Sequence, residues 1–508
     1  MDKRLVFILL LASSSFNQSI AQTYIGEILY RDSYEYIKIQ CEDDECKFSI
    51  PYIDNNQKYK TDGNPSQNNQ WTIQKGVEKW QLNTQLKNDV VVGELDLPTG
   101  KQQFLLRLQK EAVPKDAQEA YIGVYEDGAQ RKAIVYTANN YLLFMSPYSE
   151  QTMSLKPIGE NYFWSMSGEN STFSNLKNEH FQNLQVVDRF GNQKTLTRCA
   201  ITKVEELWIP IGPDTLYGRM YIPSSTTKVP ACLILPGGGA TGVDNYEYEA
   251  RYLAAYGIAS LVFDKPGNGQ SKGSTNFRFQ SFEEKNDQYK KIFAYLKNHP
   301  KIDSQKTGIH GSSEGGRLAL LMAIDLKEEV AFVNAVATPL MTFREGQFYA
   351  MDQLHRNMGI DEFDNMDIQK IWNDYYDGIE KGEIDSDIIE RANVYRSQNQ
   401  RLFLPPDLMQ LPASPHKDDI SNDRVVRDAR EITCPIFLQY GENDQRVSRS
   451  KSLQNFLPRF SKPKLIHTKI YPRGTHSMMT PEYKICPGYT DDKINWLKSI
   501  GIPINGCN

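Results

Sequence analysis

Ser313, Asp444 and His476 are three residues whose types and order suit nucleophilic acyl chemistry. Ser313 is the centre of Gly311-Ser312-Ser313-Glu314-Gly315, a G-x-S-x-G pattern. Upstream, Lys306–His310 reads as the end of a strand; downstream, Gly316–Ile324 reads as a buried helix. A strand turning that sharply into a helix strains the middle residue and exposes its side chain. The flanking glycines leave room for the neighbouring strand and helix. Ser312 occupies the x position and points elsewhere. A serine hydroxyl is a weak nucleophile near neutral pH, so it needs a base, and the base needs an orienting carboxylate.

Asp444 and His476 follow Ser313 in the order this chemistry takes on a strand–helix scaffold. Asp444 lies in Gly441-Glu442-Asn443-Asp444, just past the apolar strand Pro435–Tyr440, with Glu442 as the rival acid. His476 follows the strand Leu465–Tyr471 through Pro472–Thr475. His310 and His467 fall inside strand patterns, as core or sheet-face residues. His180, His299, His355 and His416 lie away from any strand end of the right order. The oxyanion of an acyl intermediate needs two donors. The backbone N–H of Glu314 is one; the other is assigned to Gly238, with Gly239 in reserve, in Leu235-Pro236-Gly237-Gly238-Gly239. The same glycines could form a nucleotide-binding turn, but no lysine or ribose-binding acid follows at the required spacing. No H-E-x-x-H and no Cys/His cluster with ligand spacing occurs, so neither metal nor cofactor is expected.

The elements that must hold these residues change character along the chain. At 508 residues, two or three domains are expected. Residues 22–112 are short alternating runs broken by Asn, Asp, Gly and Pro, an all-β pattern. A second β-rich module is read over 117–203. From 204 to 508, apolar strands alternate with helices: Ala231–Leu235, Glu247–Tyr256, Ile258–Phe263, Phe282–Asn298 and Lys306–His310. That is the pattern of a parallel sheet covered on both faces. Between about 340 and 425 the strands vanish and helical periodicity takes over, which reads as a cap inserted above the sheet's active edge. Of its aromatics (Phe343, Phe348, Tyr349, Trp372, Tyr375, Tyr376), most should pack the cap and any left facing Ser313 should form an acyl pocket.

The set Leu235–Gly239, Asp264-Lys-Pro-Gly-Asn-Gly-Gln-Ser271, Gly311–Gly316, Gly441–Asp444 and Gly474-Thr-His476 resembles the α/β-hydrolase superfamily over about residues 205–500. Within it the chain is similar to secreted bacterial esterases of the EstD type and to the serine aminopeptidase and prolyl oligopeptidase families. It departs from them at Pro236, where many have His, and at Pro266, where relatives often carry Arg. The resemblance implies an α/β-hydrolase fold with a helical cap behind a β-rich N-terminal region, and hydrolysis of an ester, thioester or amide. The leading expectation is a carboxylic ester hydrolase. A peptidase on the same triad is the alternative, with Glu247, Glu249 or cap acids anchoring the substrate amine. A binding protein on an inactive hydrolase scaffold is the third.

Residues 1–21 read as a signal peptide: Lys3-Arg4, an apolar run Leu5–Ala12 and a small-x-small site at Ser19-Ile20-Ala21. The run is far short of the ~20 residues that span a bilayer. Export to the periplasm or medium as a soluble protein is therefore expected. Removal of this segment takes the net charge from −5 to −6. Without a basic stripe, nucleic acid is not an expected partner; a small ester or short peptide is, and the oligomeric state stays open. Cys41 and Cys46 flank an acidic hairpin loop, either as a disulfide or as two thiols. Cys486 and Cys507 are placed to staple the C-terminal tail, while Cys199, Cys232 and Cys434 read as buried thiols.

Overall fold

The computed structural model describes residues 22–504, apart from 31–32, 43–44, 50–58, 63–69, 76–77, 88–89, 98–99, 150, 201, 400–401, 403, 406–415 and 481–483. The signal-peptide reading of 1–21 and Cys507 lie outside those residues. The chain divides into two compact units. One comprises 1–118, 153–174 and 185–194; the other 119–152, 175–184 and 195–508.

The first unit contains an eight-stranded antiparallel sheet. Gln22–Tyr30 is central, pairing with Ser33–Glu42 on one side and Gly100–Leu108 on the other. Alternation places Ile28, Ile37, Ile39, Leu82, Val91 and Leu106 in one core. Cys41 is disulfide-bonded and stands opposite Cys46 in strand register. Residues 117–203, read above as a module of their own, divide between the units. Lys156–Gly159, Tyr162–Trp164 and the start of Asn170–Lys177 pair within the first. Gly123–Glu126, Lys132–Ala138 and Tyr141–Ser146 pair within the second.

The second unit is built on an eight-stranded sheet: β1 (Lys203–Ile211), β2 (Asp214–Ile222), β3 (Val229–Leu235), β4 (Ala259–Phe263), β5 (Ile302–Ser312), β6 (Val333–Val336), β7 (Ile436–Gly441) and β8 (Ile466–Tyr471). Their spatial order is β1-β2-β4-β3-β5-β6-β7-β8. β1 and β2 form an antiparallel hairpin and β2 runs antiparallel to β4. All the remaining pairs are parallel. The crossover helices α1 (Val243–Ala255), α2 (Phe282–Lys297) and α3 (Glu314–Leu326) cover the sheet, and every residue of β3, β4, β6 and β7 is buried. That explains why these strands read as continuous apolar runs instead of alternating ones.

Between β6 and β7 lie α4 (Phe343–Asn357), α5 (Glu362–Lys381) and α6 (Ser386–Gln398). Local chemistry starts and stops them. Thr342 and Glu345 form a capping box on α4, Asp361 caps α5, and Gly382, in the left-handed region at φ 81°, ends it. Trp372, Tyr375 and Tyr376 are buried in a core of their own with Ile368, Ile371 and Ile389. Phe343 and Phe348 pack partly against the same core. After α7 (Arg424–Arg427) and β7 come α8 (Arg449–Phe456), β8 and α9 (Tyr489–Ser499).

Two cysteine readings are corrected. Cys199 is disulfide-bonded, although its apolar strand pattern read as a buried thiol. Cys486, read as a tail staple, keeps its thiol in a buried position under Gly474. The polar residues around it had concealed that burial.

Candidate active site

Ser313 joins β5 to α3 at φ 55° and ψ −118°. For a residue with a Cβ this is a strained conformation, worth about 1–3 kcal/mol. It persists because the surroundings leave no alternative. A Cβ on Gly311 would meet the Gly315 carbonyl oxygen at 2.2 Å, and one on Gly315 would meet that of Leu235 at 2.3 Å. The Ser313 N–H donates to Val336 O at 2.7 Å, and its carbonyl accepts from Gly316 and Arg317. The turn is thus fixed from both sides and the side chain is left to project from it.

His476 and Asp444 meet at the ends of β8 and β7. His476 Nδ1 lies 2.9 Å from Asp444 Oδ2 and 3.1 Å from Oδ1. Asp444 is 4% exposed, and its Oδ1 also accepts the N–H groups of Arg446 at 2.8 Å and Val447 at 2.9 Å. Those bonds hold the carboxylate in its orientation toward His476. Its carbonyl accepts from the Tyr349 hydroxyl of α4 at 2.9 Å, so the helical insertion touches the acid loop. Glu442, the rival acid, is exposed and accepts from the Arg473 N–H instead.

Ser313, His476, Gly238 and Glu314 line one cavity of about 640 Å³. Phe343, Gly346, Gln347 and Ala350 of α4 form its cap side, and Tyr248, Tyr489, Val336 and Met478 contribute apolar walls. The glycine loop is fixed by Asp264-Lys265. Lys265 Nζ donates to the carbonyls of Gly237 and of Gly239, the latter at 2.6 Å. Because a trans peptide sets its C=O and N–H on opposite sides, the Gly238 N–H is directed away from Lys265. The Gly237 N–H is not available, since it donates to the Tyr246 hydroxyl at 2.7 Å. Burial brings Lys265 down to about 8, against the pull of Glu314. Asp264 completes the brace, accepting from Val243 at 2.9 Å and Gln270 at 2.8 Å.

The carboxylates at the cavity are neutralised. Glu314 pairs with Lys285 at 3.0 Å. Glu249 is buried against Lys493 and accepts from the Tyr489 hydroxyl at 2.9 Å. Burial alone would raise the Glu249 carboxyl, but Lys493, His310 and these hydrogen bonds hold it down at about 2. His310 is a buried core residue whose Nδ1 meets Asn334 Oδ1 at 2.7 Å. Burial, then repulsion from Lys493, holds it down to about 4. Glu247, the other acid considered as an amine anchor, is bound by Arg251 at 2.8 Å.

Arg317 is a residue that the motif reading passed over. It lies one helical turn past Ser313, over the Phe282 ring at 4.5 Å. Its guanidinium donates to Met341 O at 3.2 Å and to Asn422 O, the two roots of the helical insertion. A charged residue inside an apolar helix was the available signal; its distant partners were not.

The strand order, the strained serine turn and the loops at the ends of β3, β7 and β8 are those of the α/β-hydrolase fold. Residues 287–494 match the family model described as BAAT / acyl-CoA thioester hydrolase C terminal. Acyl-coenzyme A thioesterase 6 of Mus musculus is 26% identical over 181 residues, 32% of this chain and 38% of that relative. The match thus spans well under half of that relative's length. Among solved structures, Est1E of Butyrivibrio proteoclasticus with ferulic acid bound is 15% identical, covering 58% of this chain and 96% of its own, with a TM-score of 0.37. Proline iminopeptidase of Mycobacterium smegmatis is 16% identical, covering 58% and 98%, with a TM-score of 0.38. No helix among the described residues is long and apolar enough to cross a membrane.

Proposed function

We propose that this hydrolase cleaves carboxylic esters through an acyl-enzyme on Ser313, with His476 as base and Asp444 as its orienting acid. The observation that carries the reading is the 2.9 Å contact of His476 Nδ1 with buried Asp444, on the cavity that the strained Ser313 also lines. With Nδ1 held by Asp444, Nε2 is the nitrogen left to take the serine proton. As that proton moves, Oγ bonds the substrate carbonyl carbon and the carbonyl oxygen becomes an oxyanion, held by the N–H groups of Gly238 and Glu314. Collapse breaks the C–O bond and His476 returns its proton to the leaving alcohol. Water, activated by the same imidazole, then releases the acid.

A thioester is the second reading, favoured by the family match over 287–494. The same steps apply, with a C–S bond broken. The peptidase reading is weaker, because Glu247 and Glu249 are both spent on basic partners. A non-catalytic binding role is opposed by the retained Ser313, Asp444 and His476. We further propose export, with Gln22 as the mature N-terminus, which N-terminal sequencing of secreted material tests directly.

Labelling with a fluorophosphonate probe, followed by peptide mapping, tests the central assignment. Modification of Ser313 alone, lost in Ser313→Ala, is expected. Stable labelling at another residue, or none at all in active protein, would remove the mechanism. Parallel assays with p-nitrophenyl esters, acyl thioesters and aminoacyl-nitroanilides rank the three substrate classes.

A further inference from the structure

One cation at the cavity has neither a hydrogen-bond acceptor nor an ion-pair partner among the described residues, and this points to the substrate. Arg446 is exposed and lines the cavity that holds Ser313 and His476. Its backbone N–H is bound by Asp444 at 2.8 Å, which fixes where the residue starts. Its guanidinium, by contrast, makes no hydrogen bond or ion pair with any described residue. The other charges lining the cavity are committed. Glu314 is held by Lys285, Glu249 by Lys493, and Arg317 by two carbonyl oxygens. Among the described residues the cavity therefore offers one guanidinium with all its donors free and no unpaired carboxylate, the reverse of what a substrate ammonium needs.

Its position selects a half of the substrate. The leaving alcohol must sit beside His476 to receive its proton, and Arg446 lies two residues beyond the acid that binds His476. We infer that Arg446 binds an anionic group, a carboxylate or phosphate, on the alcohol half of the ester. This rests on the Ser313 hydrolase reading and adds a substrate class to it. A planar guanidinium suits such a group because it can donate two parallel hydrogen bonds.

The test compares 4-acetoxybenzoate, anionic on its alcohol half, with its neutral methyl ester, and with mono-p-nitrophenyl glutarate, anionic on its acyl half. Arg446→Gln should lower kcat/KM for 4-acetoxybenzoate about 10- to 100-fold, as expected for a lost charge-assisted hydrogen bond. The other two substrates should change less than about 3-fold on the same scale, and Arg446→Lys should restore part of the loss. Equal losses on all three substrates, no loss on 4-acetoxybenzoate, or wild-type rejection of that ester would overturn the assignment. Fluorophosphonate labelling of Ser313 separates the two levels. If Ser313 labels and Arg446→Gln is silent, only the anion site fails; if Ser313 does not label, the hydrolase reading fails and the anion site with it.

Discussion

Lys265 Nζ lies 2.6 Å from the carbonyl oxygen of Gly239 and also binds that of Gly237, so one buried amine turns two peptides of the glycine loop. The loop's N–H groups owe their direction to a residue on the next strand end. Catalysis should therefore depend on Lys265 although it touches no substrate. Lys265→Met should lower kcat by about 100-fold, the loss typical of a misaligned oxyanion donor. With the group brought down to about 8, wild-type kcat/KM should fall as pH rises through that value, because the charged amine binds the carbonyls best. Lys265→Arg stays charged and should lack this alkaline limb. A limb unchanged in Lys265→Arg would belong to another group.

Removal of the nucleophile should be far more damaging than removal of its brace. Ser313→Ala should reduce kcat about 10⁴- to 10⁶-fold without altering the thermal melt. Asp444→Asn should lose on the order of 10⁴-fold, since an amide can hold His476 in the wrong tautomer. Glu442→Gln should be close to wild type, being exposed and bound to a backbone N–H. A reversal between the last two variants would transfer the acid role to Glu442.

The buried pair of Glu249 and Lys493 makes a stability prediction. Lys493→Met strands a carboxylate that is 4% exposed, and such a loss is worth about 3–5 kcal/mol. Lys493→Met combined with Glu249→Gln should recover much of it. Urea unfolding of the two variants checks the order; a double variant weaker than the single one would contradict the ion-pair account.

Asp419 makes a prediction about pH and stability. Burial raises its carboxyl from near 3.8 to about 6, even though both oxygens accept the Phe282 N–H at 3.0 Å. A folded-state value above the unfolded one means the native protein keeps its proton longer. The contribution is complete below about 3.8 and is lost as pH rises through about 6. The stability of wild type relative to Asp419→Asn should thus shrink between about pH 4 and pH 7, by at most about 3 kcal/mol. A constant difference across that range would show that Asp419 is not protonated in the native state.

Much of the candidate site's placement was readable because its residues sit where strands end. Apolar runs located β5, β7 and β8, and the turn residues after them located Ser313, Asp444 and His476. The glycines at 311 and 315 signalled close approach, and the Cβ distances give the physical reason. What stayed hidden depends on elements far apart in the chain. Lys285 meets Glu314 across two helices, Arg317 reaches the carbonyl of Asn422, and Tyr349 reaches that of Asp444. Periodicity reports which face of a helix is buried, not which distant atom it meets. Two cysteine readings failed for the same reason: Cys199 has the pattern of any core strand residue, and Cys486 sits among polar neighbours that say nothing of the cover over it.

Arg317 has a mechanical consequence. Because one guanidinium grips Met341 and Asn422 together, the entrance and exit of the helical insertion are pinned to the helix that starts at Ser313. The eighty residues between them are therefore held at both ends by one side chain, and Tyr349 ties them a third time, to the Asp444 loop. The insertion thus sits like a plate on three rivets, and a change in its helices reaches the cavity through those points and through the α4 residues that line it.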